Sequence, residues 1–399
     1  MSASAMITAT RTRPLSLLII AYFAFIAIAI PDGILNIAWT YMQTDFTVPL
    51  ESLGVLLGVA MTGRLLTAFT SGSLIGRFGI ARYLIGGVLL MMAGLSGYAF
   101  SPSWVTLLVA AFVAAMGAGA LDAGLNTFVS AGYTTGQLNW LHAAYGVGVT
   151  LGPVVATYVI VTTGQSWRVS YWLAVIPAVI VVVLFVVTLA GWTLRSQTSA
   201  EKAAAPPASL RESLGVPLVL LGAAIFFMYG AVEIGVGNLA NTLFVEGRGA
   251  PQETASFWIS LYWASFTVGR IIMGFIADRF NPNVILRACM IGAVIGGAML
   301  MLNPVPLIGF LGIAVMGFSF APMFATLIAL TPRRVGERHA PNAIGIQVGI
   351  VGIGGAGLPF IAGILSRSFG LEVIGVVLFV GTVILLVVHE VTLRRAGDA

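Results

Sequence analysis

Three carboxylic acids, Asp32, Asp122 and Glu233, each lie inside a long apolar stretch of this 399-residue chain. The other acids fall in expected loops, helix ends or tails. An ionisable group at the depth of a lipid bilayer is costly unless it faces a polar cavity, and such a group marks a functional site by default. A carboxyl group at that depth can carry a proton or accept hydrogen bonds from a polar solute. The three acids therefore predict a transporter.

The composition places nearly the whole chain in lipid. Of its residues 59% are hydrophobic and 8% are charged, whereas an ordinary soluble domain is about 25% charged. A membrane-spanning helix needs about 20 apolar residues, so the chain has room for about twelve. Apolar runs between charged or Gly/Pro breaks predict spans near 15–41, 52–75, 81–99, 104–130, 138–163, 169–190, 215–244, 255–277, 284–302, 305–330, 341–366 and 371–392.

Charge and motifs argue against other classes of protein. The net charge of +5 comes from Arg residues distributed over loops, without a basic patch interleaved with aromatic residues, so nucleic acid is not an expected partner. The single Cys289 excludes disulfides and cysteine metal sites. No nucleophile elbow, phosphate loop or His-Glu-x-x-His motif occurs in the sequence. We expect no enzymatic activity, no metal site and no cofactor beyond a coupling proton, or sodium in its place.

One glycine run imitates a nucleotide site. The residues Gly352-Ile-Gly354-Gly-Ala-Gly357 fit the dinucleotide fingerprint Gly-x-Gly-x-x-Gly. That fingerprint requires a strand before it and a helix after it, within a βαβ unit. Here it lies in a predicted span and leads to Pro359, so close helix packing is the better interpretation.

The spans form two similar halves. The run 72–79 after the second span repeats as 274–281 after the eighth, and Asp32 in the first span is echoed by Glu233 in the seventh. Parallel repeats are typical of transporters whose halves rock about a central site. We predict an N-terminal six-helix bundle over 1–192, a cytoplasmic linker over 193–213 and a C-terminal six-helix bundle over 214–399.

The distribution of Arg and Lys predicts the orientation. With both termini in the cytoplasm, fourteen of the 19 basic residues lie on the inner side and three on the outer side, while Arg64 and Arg270 lie within spans. We therefore expect a multi-pass protein of the cell membrane, the inner membrane where there are two, with both termini cytoplasmic.

The repeated loop motif identifies a family resemblance. The string Gly274-Phe-Ile-Ala-Asp278-Arg279 resembles the start of Gly-x-x-x-Asp-Arg-x-Gly-Arg, the hallmark of the major facilitator superfamily. The resemblance implies an all-α integral membrane protein with twelve transmembrane helices in two pseudo-symmetric six-helix bundles, functioning as a monomer. It also implies a latch for the outward-facing state at Gly274, Asp278 and Arg279. In the first half, Gly76 stands where the acid belongs, so no such latch is expected there.

Several further strings resemble the sugar-transporting branch of fucose–proton symporters and sodium-glucose relatives. They are Pro31-Asp32-Gly33, Leu121-Asp122-Ala-Gly-Leu-Asn126, Asn139-Trp-Leu-His142 and Val232-Glu233-Ile-Gly235. Fucose symporters rely on one carboxylate in helix one and one in helix four. Asp32 and Asp122 occupy those helices, so the resemblance implies proton coupling and a sugar as the small-molecule solute.

Asp32 begins a polar face on the first span. Asp32, Asn36 and Trp39 are spaced at i, i+4 and i+7 and share one helical face. A carboxylate, an amide and an aromatic ring suit a sugar, which has both hydroxyls and a flat C–H surface. Pro31 and Gly33 predict a local break in the helix that lets backbone groups line a cavity. The alternative is an acid paired with a neighbouring helix for structure alone.

Asp122 and His142 form a second candidate site. Asn126 shares a face with Asp122, and Asn139 lies one turn before His142. At 1.5 Å per residue, both titratable groups lie roughly 9–12 Å from the cytoplasmic ends of the fourth and fifth spans. Antiparallel neighbours at one depth can exchange a proton. The alternative is a static hydrogen bond between the two helices.

The second half supplies further polar candidates. Tyr229, Glu233 and Asn241 share a face of the seventh span, Tyr262 lies in the eighth and Gln347 in the eleventh. For Tyr262 packing is the alternative. The predicted proton-coupling residues are Asp32, Asp122, His142 and Glu233, and the predicted solute-binding residues are Asn36, Trp39, Asn126, Asn139, Tyr229, Asn241, Tyr262 and Gln347.

Two arginines lie inside predicted spans. Either can reach the interface by snorkelling or pair with a carboxylate. We expect the partner of Arg270 near the Asp278 loop. Arg64 is deeper and suits compensation of Asp122 or contact with an anionic solute, and a structural role is the alternative for both.

Three functions compete on these observations. The first is a proton-coupled symporter for a sugar or similar polar solute, working by alternating access. The second is a proton-coupled efflux antiporter for amphipathic drugs or metabolites. The third is a membrane receptor that binds without transporting. The clustered Asn residues favour a polar solute, and the glycine-rich loops favour a moving protein.

Overall fold

The computed structural model describes residues 14–49, 52–193 and 208–397, apart from the side chains of Asn36, Gln252 and Ser256. In this part of the chain twelve helices are long and apolar enough to cross a membrane, and no β-strand occurs. The predicted all-α fold with twelve spans is confirmed. Residues 194–207 of the predicted linker lie outside the described residues.

The first half contains six spanning helices, and the second half contains six more, one of them in two pieces. The helices of the first half are α1 (Leu15–Phe46), α2 (Ser52–Phe78), α3 (Ile80–Phe100), α4 (Trp104–Ser130), α5 (Thr135–Thr157) and α6 (Trp167–Val187). A short helix α7 (Leu210–Leu214) follows the linker. The second half has α8 (Pro217–Thr242), α9 (Gln252–Ile276), α10 (Pro282–Leu302), α11 (Pro306–Phe320), α12 (Met323–Val335), α13 (Ala340–Phe369) and α14 (Val373–Ala396). The tenth span is α11 followed by α12, with a break at Ala321 and Pro322.

The two halves repeat the same packing. In the first half α1 packs on α5 and α3 packs on α4, and in the second half α8 packs on α13 and α10 packs on α11. Small residues allow the backbones to approach. A Cβ on Gly152 of α5 would overlap Gly33 of α1, and a Cβ on Gly354 of α13 would overlap the carbonyl of Phe227 in α8. The glycine run that imitates a dinucleotide site is therefore a helix-packing surface inside α13.

The predicted break at Pro31 is wrong. Helix α1 runs without interruption from Leu15 to Phe46, with Pro31 inside it. The reason lies in the neighbouring helix, because Gly33 packs directly on the backbone of Val149 and Gly152 in α5. That contact holds the helix on both sides of the proline, and the backbone around Asp32 stays helical.

The halves meet at one end and separate at the other. We call the end at which α1 begins and α14 ends the inner end. There a Cβ on Gly72 of α2 would overlap the backbone of Asn342 in α13, and a Cβ on Gly345 would overlap the carbonyl of Ala68. Toward the outer end Gly58 of α2 and Gly363 of α13 continue the same helical faces, yet an added Cβ would meet nothing within 4 Å at either. The molecule is closed at its inner end and open at its outer end.

The helix α7 docks beneath the closed end. It contacts both α2 and α13. The Asn342 amide donates to the carbonyl oxygen of Ala208 at 2.7 Å and to the Ser213 hydroxyl at 3.0 Å. The backbone N–H of Ser209 donates to the Glu212 carboxylate and holds the pKa of Glu212 below its usual range. The described end of the linker is thus fixed to the inner end of α13.

Candidate functional site

Asp32 forms an ion pair with an arginine of the neighbouring helix. The Arg64 guanidinium donates to both carboxylate oxygens of Asp32, at 2.9 and 2.7 Å. The Tyr145 hydroxyl of α5 donates to the second of these oxygens at 2.6 Å. The side chains of Asp32 and Arg64 remain 41% and 31% exposed, so the pair faces a space within the protein. Helices α1, α2 and α5 together hold one charged cluster at mid-depth.

A small cavity opens onto this ion pair. Its volume is about 70 Å³, and its lining includes Asp32, Arg64, Tyr98 and Tyr171. All residues that line it belong to the first half. Small-molecule sites usually measure about 300–1,000 Å³, whereas one water needs roughly 10–15 Å³ of such space. The cavity therefore suits a few water molecules and is too small for a sugar-sized solute.

Asp122 and His142 are connected through Asn126. The Asn126 amide group donates to Asp122 Oδ1 at 2.7 Å, and its Oδ1 lies 3.1 Å from His142 Nε2. Because the amide N–H faces the carboxylate, its oxygen faces the imidazole and Nε2 donates. The His142 ring also packs edge-on against Phe324 of the second half, with the ring centroids 4.7 Å apart. The predicted proximity of Asp122 and His142 is present, and it reaches the contact between the halves.

Glu233 has aromatic neighbours and an arginine nearby. The Tyr262 hydroxyl donates to the backbone carbonyl of Glu233 at 2.8 Å. The carboxylate interacts electrostatically with Arg270 and with Tyr229. The Arg270 guanidinium lies 4.2 Å from the centre of the Phe266 ring. We expected Arg270 to pair near the Asp278 loop, but its side chain instead extends one turn back along α9 over Phe266 and interacts electrostatically with Glu233.

Asp278 lies at the contact between the halves at the inner end. Its Oδ1 accepts a hydrogen bond from the backbone N–H of Gly136, in the first turn of α5, at 2.9 Å. A carboxylate is stabilised at a helix N-terminus by the free N–H groups and the helix dipole. A Cβ on Gly274 would overlap the Trp140 indole of α5. The predicted latch residues Gly274 and Asp278 thus contact the opposite half, and the latch role, with Arg279, stays a proposal.

The structure does not bring every predicted solute ligand to this region. Trp39 is buried and packs at the outer end against Trp104, with ring centroids 6.1 Å apart. Gln347 is buried and accepts a hydrogen bond from Thr331 at 2.9 Å. Asn139 is buried and donates to the carbonyl oxygen of Thr135 in its own helix. Packing holds Trp39, and hydrogen bonds within the protein hold Gln347 and Asn139. Trp39 Nε1 and Asn139 Oδ1 have no hydrogen-bond partner in the described part of the chain.

The remaining predicted ligands differ in exposure. Tyr229, Tyr262 and Asn126 are fully buried, whereas Asn241 is half-buried. The side chain of Asn36 lies outside the described residues. The three intramembrane acids are all half-buried. The three carboxylates are therefore more exposed than Asn126, Tyr229 and Tyr262.

Sequence reasoning missed the partners of the acids. It predicted that Arg64 compensates Asp122 or contacts a solute, and it did not identify Tyr145 or Phe324 as neighbours of the acids. Tyr145 continues the face of Asn139 and His142 at i+3, so a longer search along that face would have found it. Phe324 carries no polar signal, and only the packing of α12 on α5 brings it to His142.

We expect the replacement Arg64→Gln to destabilise the protein more than the double replacement with Asp32→Asn. Removing one partner of a buried ion pair costs about 3–5 kcal/mol, and the partial exposure of this pair reduces the expected cost to roughly 1–3 kcal/mol. Thermal unfolding of the purified protein checks this. The exposed pair Arg338 and Glu212, treated in the same way, should show a much smaller coupling, because solvent screens exposed ion pairs. Equal couplings for the two pairs would show that the ion pair of Asp32 and Arg64 stabilises the protein no more than an exposed pair does.

Comparison with known proteins gives the family. The model of the Major Facilitator Superfamily matches residues 21–356 and again residues 224–397. The glucose/mannose transporter GlcP of Bacillus subtilis is 21% identical over 373 residues, which is 89% of each chain. The cis,cis-muconate transport protein of Acinetobacter baylyi is 25% identical over 291 residues, 68% of this chain and 69% of that protein. The match to Bypass of stop codon protein 6 of Saccharomyces cerevisiae, at 23% identity, covers 41% of this chain and 35% of that protein.

The fold agrees with this assignment. The crystal structure of the transporter FucP in its outward conformation matches with a TM-score of 0.80 at 16% identity, covering 94% of this chain and 98% of that chain. The family and its relatives are transporters and not enzymes. Since the family model spans most of the sequence and the twelve helices form the corresponding fold, this chain belongs to the Major Facilitator Superfamily.

Proposed function

We propose that the protein is a proton-coupled symporter of a sugar or a similar polar solute, working by alternating access between its halves. The observation that carries the proposal is the set of hydrogen bonds from Asp122 through Asn126 to His142, ending on Phe324 of the other half. A titratable group connected to the contact between the halves can change that contact when it gains or loses a proton.

Asn126 couples Asp122 to His142 by fixing their relative orientation, and not by passing a proton between them. An amide group holds no titratable proton at physiological pH, so Asn126 does not carry a proton between Asp122 and His142. It fixes the carboxylate and the imidazole relative to each other. A proton on Asp122 removes the negative charge that Asn126 faces, and a proton on His142 adds a positive charge beside Phe324. Either change alters the strength of these hydrogen bonds and of the contact between His142 and Phe324. Proton and solute binding are then coupled reciprocally, so each tightens the other.

The relatives support a small polar solute. One relative is named for glucose and mannose, and another for cis,cis-muconate. We propose the bilayer of the cell membrane as the location, with both termini cytoplasmic on the distribution of basic residues. The inner end of the molecule is then its cytoplasmic end, and the structure is outward-facing. We further propose that the protein works as a monomer, with a proton as the coupling ion and sodium as the alternative.

The test is the electrical response of proteoliposomes to a panel of sugars and amphipathic cations, at two pH values and with and without sodium. We expect a sugar to evoke inward positive charge movement that grows at the lower outside pH and does not need sodium. A response to amphipathic cations alone, with no response to sugars, would contradict symport and assign the protein to proton-coupled efflux. A sugar response that needs sodium would show that sodium, and not the proton, is the coupling ion.

A further inference from the structure

Each half places an arginine near its intramembrane acid, but the two arginines are used differently. Arg64 of α2 lies beside Asp32, and Arg270 of α9 lies near Glu233. Asp32 and Glu233 are at matching depths, since they are the eighteenth residue of α1 and the seventeenth residue of α8. Each half therefore has one intramembrane acid with an arginine of the following helix near it, although the two arginines are not at equivalent positions of the repeat.

The arginine of the first half is paired with its acid through one nitrogen, Nη2. Arg64 donates to both oxygens of Asp32, and the pair is completed by the hydroxyl of Tyr145. The charge of Arg64 is therefore compensated inside the protein by the Asp32 carboxylate. Arg64 is therefore poorly suited to receive an additional anion.

The arginine of the second half, Arg270, is not hydrogen-bonded to its acid. Among the described residues Arg270 makes no hydrogen bond, and its Nε is buried without a partner. The guanidinium of Arg270 instead contacts an aromatic ring, that of Phe266, at 4.2 Å. The Tyr229 hydroxyl, one turn before Glu233, is buried and interacts with the Glu233 carboxylate. Buried polar groups are normally satisfied, so the unpartnered Nε of Arg270 requires an explanation.

Arg270 lies between the halves. It interacts electrostatically with Glu233 of its own half and with His142 of the other half. Its Cα is six residues from the inner end of α9, or about 9 Å along the helix, and its side chain extends toward the outer end over Phe266. It therefore lies just above the closed inner contact, where a solute entering from the open end would stop.

We propose that the solute carries a carboxylate and that the Arg270 guanidinium binds it. The proposal rests on the proposed transport of a sugar-like solute and narrows it to a sugar acid. Guanidinium matches carboxylate geometry with two parallel hydrogen bonds, which a neutral hydroxyl cannot accept equally well.

The neighbouring charges add a consequence for coupling. The groups that face Arg270 are Glu233 and Tyr229 from α8, Tyr262 from α9 and His142 from α5. A solute carboxylate beside an ionised Glu233 would be repelled, as like charges at close range disfavour each other. Binding of the anion therefore favours a proton on Glu233 or His142, which links solute and proton at one place.

The experiment compares sugar acids with their neutral parents. Binding of D-glucuronate, D-galacturonate, D-glucose and D-galactose to the purified full chain is measured by calorimetry for the wild type, Arg270→Gln and Arg270→Lys. Arg367→Gln, on the exposed outer end of α13, is the matched control. We expect at least one acid to bind tenfold or more tightly than its parent. Arg270→Gln should weaken acid binding 10- to 100-fold and parent binding less than threefold, with Arg270→Lys between them.

The outcomes separate this inference from the general function. Tighter binding of a neutral sugar, unchanged in Arg270→Gln, would overturn the anion site and leave sugar transport standing. Binding of neither the acids nor the sugars would overturn both. Equal losses in Arg270→Gln and Arg367→Gln would also overturn the site. If Arg270→Gln does not fold, the preference of the wild type for acid over parent remains decisive.

Discussion

The Asp122→Asn protein is expected to lose proton-driven accumulation of its solute while it still exchanges solute across the membrane. An amide cannot take up the proton, so the solute gradient loses its connection to the proton gradient. A membrane potential of 100 mV is worth about 2.3 kcal/mol per charge, which supports roughly 50-fold accumulation with one proton. The accumulation ratio should fall from that range to about 1.

The geometry explains why exchange should survive. The amide oxygen of the introduced asparagine can still accept the 2.7 Å hydrogen bond that Asn126 donates to Asp122. Asn126 then keeps its orientation toward His142, and the contact with Phe324 is preserved. Solute binding and the rocking of the halves therefore remain, and only the coupling is lost.

Uptake and counterflow in proteoliposomes measure the two properties separately. Glu246→Gln, an exposed acid beyond the outer end of α8, is the matched control and should accumulate solute like the wild type. Accumulation by Asp122→Asn at the wild-type ratio would remove Asp122 from the coupling mechanism. Loss of exchange together with accumulation would instead show that the residue is needed for the fold or for solute binding.

The backbone of this protein was predictable because its signals lie in continuous stretches of sequence. Twelve apolar runs, the repeated loop after the second and eighth spans and the depth of Asp122 and His142 all come from counting residues along helices. The one backbone error, the break expected at Pro31, came from reading a local signal alone. The contact of Gly33 with the backbone of α5 outweighs it.

The site was less predictable because it depends on which helix faces which. Whether Arg64 reaches Asp32 or Asp122 depends on the relative rotation of α1, α2 and α4, which no spacing within one helix records. The same limit applies to Trp39 and Gln347. Each lies on a plausible polar or aromatic face, yet Trp104 and Thr331 on neighbouring helices occupy them. Sequence finds the residues able to act, and packing decides which of them are free to do so.

The second large effect is a conformational shift, expected when the contact between the inner ends of α2 and α13 is overpacked. Gly72→Ala would place a Cβ against the backbone of Asn342, and Gly345→Ala would place one against the carbonyl of Ala68. A backbone atom cannot swing aside as a side-chain end can, so the inner ends must separate. Overpacking costs about 1–3 kcal/mol, which corresponds to a shift of roughly 5- to 150-fold from the state closed at the inner end toward the opposite one.

Distances between spin labels at the outer ends of the two helices report this shift. Labels on Gly54→Cys and Gly363→Cys, in a background where the single buried Cys289 is replaced by alanine, should move closer together in Gly72→Ala and Gly345→Ala. Gly58→Ala is the matched control, because its Cβ meets nothing within 4 Å. Alanine in place of glycine favours a helix by up to about 1 kcal/mol, so the control gains helix stability without touching the contact between α2 and α13. Identical distance distributions in Gly72→Ala and Gly58→Ala would show that the contact between α2 and α13 does not hold the inner end closed. The contact of Asp278 with α5 would then be the remaining candidate for that role.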